Sequence, residues 1–382
     1  MRRLARSLMV AGTLVGLAGL AWPPGLGADE RRHEGRTLEE WRRNLRDPAP
    51  EVRYRSVQAL EQFEDAAVPA LIEALQDADP GVSATAAAVL PRLGLGARAA
   101  VPTLAALVVH GDEVIRYAAV ESLVRIEPAA VVPALVRGLS DDSAAVRRDA
   151  ADALASLAAM AKGAVPPELP PMLLHPFYDR SRDPTLRGPM RQKLDPSLQA
   201  PLQVMAGSLQ SAVPGLLRVL VDDDPGARMA AETALQTFGA PALPALVQAL
   251  AEPALGPAAV RALTRTPGGH SPATHRAVRE LGAAAVPALV RVLQDPGFRG
   301  DRWFATLLLE KIGPAAKDGV PALVQALYDA DARPRRAAAS ALGAIGPEAR
   351  EAVPALRRLA ASDPDPGVRE VATAALERIG RR

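Results

Sequence analysis

The stretch at residues 320–346, VPALVQALYDADARPRRAAASALGAIG, recurs with small changes along most of the chain, and a recurring unit constrains the fold more than any single residue does. VPALVQAL places Val320, Leu323 and Leu327 on one helical face, with Pro321 at the first helical position, where its missing N–H costs nothing. YDADARP breaks that pattern, and RRAAASALGAIG resumes it with Ala338, Ala341, Leu342 and Ile345 before Gly346, a typical residue just past a helix end. The unit is therefore a helix A and a helix B of about ten residues each. Such a pair cannot bury apolar surface on both sides alone, so it must stack on copies of itself.

The copies begin at Val68-Pro69, Val101-Pro102, Val132-Pro133, Val213-Pro214, Leu243-Pro244, Val286-Pro287, Val320-Pro321 and Val353-Pro354, most of them 30 to 34 residues apart. A first unit at residues 37–64 lacks the Val-Pro start; Thr37 and Glu40 form a capping box, and Trp41 and Leu45 make its buried face. Its charged outer side suits a terminal cap that meets water. Two gaps are longer. Between Pro133 and Pro214 a degraded start at Val165-Pro166 and a partner helix at about 197–209 enclose a proline-rich insertion at about 175–196. Between Pro244 and Pro287 the extra residues, about 253–272, fall between helix A and helix B, with an added helical turn expected around 258–263.

Ahead of the repeats, a basic start, an apolar stretch at residues 8–22 and small residues before a charged run read as a secretory signal peptide, residues 1–28, followed by a linker, 29–36. The alternative is a membrane anchor left uncleaved at residues 8–22. Removing Arg2, Arg3 and Arg6 with the leader leaves 42 basic residues against 43 acidic ones, so no global field for a polyanion is implied. Aromatics are only 3% of the chain against 49% apolar residues, which suits thin alanine-rich helix packing. With no cysteine, disulfide and thiolate chemistry are excluded.

Val-Pro-Ala-Leu, then Leu-x-Asp, then Val-Arg with alanines and Ala-Leu, then Ile-Gly, as in VPALRRLAASDPDPGVREVATAALERIG, resembles the short HEAT repeats often called PBS-lyase HEAT-like, over residues 37–382. The Thr-Pro-Leu-His pattern of ankyrin and the Trp, Gly and Tyr positions of tetratricopeptide repeats are absent. The expected fold is all-α, an α-solenoid (superhelix) of about ten stacked antiparallel helix pairs.

Aspartates recur in the turns (Asp47, Asp77, Asp141, Asp222, Asp295, Asp329, Asp363), and arginines open helix B (Arg53, Arg116, Arg147, Arg228, Arg302, Arg369), with Ser83 in one unit. So many equivalent pairs read as a structural ladder in which Asp caps helix B or accepts from a neighbouring Arg. The next residue points away from the buried face: Tyr54, Ala84, Tyr117, Arg148, Met229, Trp303, Arg336, Glu370. The HEAT resemblance implies that helix B lines a concave binding surface, which makes Tyr54, Tyr117, Arg148, Trp303 and Arg336 candidate partner anchors; local packing is the competing reading. Phe177 and Tyr178, in the insertion with His175 and Asp179, are further candidates beside a plain spacer. His270 and His275 supply half of a metal site at most and read as exposed loop histidines. No phosphate loop, HExxH, GxSxG or dinucleotide fingerprint is present.

These features predict a non-catalytic, monomeric scaffold that binds another protein outside the cytoplasm, with no cofactor, metal, nucleic acid or, once the leader is cleaved, membrane. The alternative implied by the resemblance is a phycobilin lyase-like or DNA glycosylase-like protein. The leader and the near-neutral mature charge weigh against both.

Overall fold

The structure is a computed structural model that describes residues 31–111, 113–162 and 199–380. Every regular element among these residues is helical, apart from an isolated bridge between His33 and Arg36. The protein is an all-α solenoid whose helix pairs group into two compact units, one ending at Ala212 and the other beginning at Val213.

In the first unit α1 (Leu38–Asn44) pairs with α2 (Pro50–Leu60), α3 (Val68–Ala74) with α4 (Pro80–Val89), α5 (Val101–His110) with α6 (Glu113–Ile126), and α7 (Val131–Gly138) with α8 (Ala144–Ala161). Next, α9 (Gln199–Ser208) packs on α8. The helix expected after Val165-Pro166 and the insertion at 175–196 lie outside the described residues, as does the leader. Thr37 and Glu40 form the capping box, and Trp41 is 1% exposed, its indole N–H donating to the His33 carbonyl at 3.1 Å.

In the second unit α10 (Val213–Val219) pairs with α11 (Pro225–Phe238). The next helix A, α12 (Leu243–Ala249), contacts two helices, α13 (Gly256–Arg265) and α14 (Pro272–Leu281). Then α15 (Val286–Gln294) pairs with α16 (Arg302–Ile312), α17 (Val320–Ala326) with α18 (Ala332–Ile345), and α19 (Val353–Ser362) with α20 (Pro366–Gly380).

The repeated residues place these elements. Valine or leucine takes the first helical position of the Val-Pro helices A and proline the second, except in α7, where Val131 comes first and Pro133 is third; in every case the N–H is unneeded. Helix B, or the 3₁₀ turn that extends it after α4, ends at a residue with φ of 58–76° and ψ near −135° in five units, and each time it is glycine (Gly94, Gly239, Gly282, Gly313, Gly346). The first unit has Glu64 there, at φ 54°. Alanine and leucine from both helices fill the core, and B helices stack directly on one another, α2 on α4 on α6 and α16 on α18 on α20.

The segment at 253–272 is more than an added turn. It holds α13, a ten-residue helix that buries Ala259, Val260, Ala262 and Leu263 and packs on α11 and α15. Gly256 makes this possible, because a Cβ there would collide with Ala288 of α15.

Candidate partner-binding site

All seven turn aspartates do the same work. Oδ1 of Asp47, Asp77, Asp141, Asp222, Asp295, Asp329 and Asp363 accepts the N–H two residues further on, at 2.8–2.9 Å. Six of them close the turn ahead of the helix and are not its N-cap, and Asp295 caps the 3₁₀ turn Pro296–Asp301 that leads into α16; in four units the N-cap role falls to a second acid, Asp79, Asp224, Asp331 or Asp365. Five arginines point back into the same turns, while Arg116 donates to the Gly111 carbonyl and Arg302 makes no such bond. Nη1 of Arg53, Arg147, Arg228, Arg335 and Arg369 donates to the carbonyl of the aspartate six residues earlier. Two also reach the next repeat through bidentate pairs, Arg53 to Asp77 at 2.7 and 2.8 Å and Arg335 to Asp363 at 2.8 and 2.9 Å.

Arg335 holds the Asp363 carboxyl below the usual carboxylate range. For Asp77, burial works the other way but is outweighed by hydrogen bonds from Arg53 and the Asp79 N–H, so its pKa is also lowered. Ser83 stands in for its arginine by donating from Oγ to the Leu75 carbonyl. These contacts join repeat to repeat and leave the ladder no reactive group.

The residue after each arginine faces outward as the helical geometry requires: Arg148, Met229, Trp303, Arg336 and Glu370 are exposed, Tyr54 and Ala84 half-buried. The Tyr54 hydroxyl accepts from Gln58 at 3.0 Å, and Arg148 lies 3.6 Å from Asp149. Tyr117 sits on α6, but its side chain is outside the described residues, as are Phe177 and Tyr178.

Trp303 is the most elaborated position of the column. It is 46% exposed, and the His270 ring stacks on it at 5.2 Å and 18°. Buried Phe304 meets the edge of His270 at 4.5 Å, and His270 Nε2 lies 3.1 Å from the Thr264 carbonyl. His270 is thus a fixed support for Trp303 and more than a loose loop histidine. His275 is half-buried on α14; burial, followed by Lys311, His270 and Arg279, lowers its pKa. Among the described residues no three His, Cys, Asp or Glu gather as a metal site.

Beside this ring pair, α11, α13 and the turn before α16 bring together two ion pairs, Glu232 with Arg265 at 2.6 Å and Arg261 with Asp301 at 3.2 Å. Burial raises the Glu232 pKa against the pull of Arg265 and Arg261. Arg261 also lies over the Phe298 ring at 4.2 Å.

The HEAT-repeat family model matches residues 38–123, 84–155, 100–187 and 286–377. The chain belongs to the HEAT-repeat family. Its HEAT repeats resemble several solved structures at low identity. An engineered protein shares 21% identity over 90% of this chain and 89% of its own, with a TM-score of 0.39. Importin beta shares 15% over 89% of this chain and 46% of its own, at 0.40. The karyopherin Kap121p, solved bound to the extreme C-terminus of the phosphatase Cdc14p, shares 16% over 90% and 37%, at 0.36. This chain therefore spans less than half the length of the latter two. None of the curated proteins matches it.

Two features of this HEAT-repeat surface escaped the sequence reading. One is the Glu232, Arg261, Arg265 and Asp301 cluster, whose partners lie 33 and 40 residues apart. The other is Tyr328, 54% exposed with the Arg358 guanidinium 5.1 Å from its ring, on the rim of an open cleft of about 630 Å³ that Arg335, Asp363 and Pro364 also line. A lone tyrosine at the start of a repeat turn was the available signal.

Proposed function

We propose that this HEAT-repeat protein is a non-catalytic, monomeric scaffold that binds another protein outside the cytoplasm through the outward column on its B helices. The observation that carries the reading is Trp303, a large aromatic left 46% exposed yet held rigid by His270 and Phe304. A preordered exposed tryptophan loses little entropy on binding, and tryptophan, tyrosine and arginine, the residues of this column, dominate binding hot spots. The ladder supports the non-catalytic part, since its seven aspartates and five of its arginines are bound to turns or to one another. The basic, then apolar, start of the chain supports export.

The test is capture from an extracytoplasmic extract with a photo-crosslinker at position 300, three residues from Trp303, where the chain is exposed and an added side chain would touch nothing. One protein should crosslink reproducibly, and the double variant Tyr117→Ala, Trp303→Ala should lose most of it while keeping its helical circular dichroism and melting temperature. Equal capture by the double variant, or no reproducible partner, overturns the reading. N-terminal sequencing of the exported chain checks the location: a start near residue 28 supports export, and an intact Met1 on a cytoplasmic chain refutes it.

A further inference from the structure

We propose that the second unit's helix-B face takes an acidic peptide segment, with Trp303 as its apolar anchor and Arg302, Arg299 and Arg336 as its carboxylate receivers. This rests on the scaffold reading above and adds the chemistry of the partner.

The argument starts from spacing. In five repeats the turn aspartate and the helix-B arginine are six residues apart, and the arginine donates to that aspartate's carbonyl. In the repeat that carries Trp303 the pair is Asp295 and Arg302, seven residues apart, because the turn at Pro296–Asp301 is one residue longer. Arg302 makes none of the ladder bonds, and its Nε is buried with no partner. That Nε is enclosed by the protein, so a carboxylate would meet the guanidinium at Nη1 or Nη2, whose charge no acid of the repeat offsets.

The nearby acids are already engaged. Asp301, beside Arg302, is bound to Arg261, Glu232 to Arg265, and Glu310 to Lys311. Arg299 in the same turn and Arg336 at the equivalent column position one repeat on are both exposed, and neither has an ion pair. A cationic surface with an exposed, braced indole in its midst complements a segment with carboxylates on both sides of an apolar side chain. Packed helices lie about 8–10 Å apart, so the Arg302 and Arg336 sites are about three extended residues apart along such a segment. Glu370 continues the column one repeat beyond Arg336, which disfavours a uniformly charged nucleic acid strand running along the face.

The experiment uses the full chain and a fluorescein-labelled, capped decapeptide of Asp, Glu and Leu. Its Gln/Asn/Leu and Lys/Leu counterparts and a single-stranded oligonucleotide of equal charge serve as comparisons, all read by anisotropy. The acidic peptide should bind, weaken about tenfold or more between 50 and 300 mM salt, and lose about tenfold with R302Q and with W303A. R350Q, on another turn, should leave it unchanged, and melting curves should show each variant folded.

Equal binding of the neutral peptide, unchanged binding in R302Q and W303A, or tighter binding of the oligonucleotide overturns the proposal. Failure here with a reproducible crosslink at position 300 leaves the scaffold standing with a partner of other chemistry. Failure of both removes the scaffold reading as well.

Discussion

His275 places a titratable ring where protonation is disfavoured. Its Nε2 is buried without a hydrogen-bond partner on α14, and Lys311, His270 and Arg279 all oppose a positive charge there; Glu310, the one group acting the other way, is held by Lys311. The folded pKa is lowered, so as pH falls past about 6.5 the unfolded chain takes up the proton first and the folded state loses stability. The urea midpoint of the second unit should drop between pH 7.5 and 5.5, and His275→Gln should flatten that drop; an equal drop in the variant would place the proton elsewhere. Asp363 behaves in the opposite sense. Its carboxyl is held low, chiefly by Arg335, so its contribution is present above about pH 3.8 and fades as acid protonates it. Asp363→Ala strands the Arg335 fork and the Asp365 N–H at a site that is almost fully buried, and should cost about 2–4 kcal/mol in a denaturant titration at pH 7.

At the level of the helix pair, the exit from helix B sets the repeat. A Cβ added to Gly346 would touch nothing within 4 Å, so Gly346→Ala should report backbone strain alone, a loss of roughly 1–2 kcal/mol by thermal unfolding. Glu64 occupies the same conformation at φ 54°, and its carboxylate makes only an exposed pair with Arg31. Glu64→Gly should therefore stabilise the first unit by about 1 kcal/mol, and a loss would mean that the Arg31 contact outweighs the strain. These elements were legible in the sequence because proline, glycine and the Asp turn each make a demand on the backbone that few other residues meet. Of the helix α13 only a turn was legible, expected around 258–263; its full ten residues and apolar face count only once Gly256 lets it close on α15.

For the whole molecule, two compact units imply two unfolding responses. Trp41 lies in the first and Trp303 in the second, so with Trp22 replaced by Phe, pairing that change with Trp303→Phe or Trp41→Phe gives one reporter for each unit. Gly346→Ala should shift the Trp303 midpoint clearly and the Trp41 midpoint little, since coupling in repeat proteins passes between neighbours; equal shifts would mean one cooperative block. The outward column was readable from helical geometry, but what distinguishes Trp303 within it was not. The His270 stack and the pairs of Glu232 with Arg265 and Arg261 with Asp301 join residues from different repeats, and a periodic pattern says nothing about contacts made by its exceptions. The seven-residue interval from Asp295 to Arg302 behaves like a dislocation in a crystal: the six-residue interval resumes in the next repeat, Asp329 to Arg335, and the mismatch stays where it arose. A tandem array can thus acquire an address by adding a single residue, and move it by adding that residue elsewhere, with the surrounding repeats left as they were.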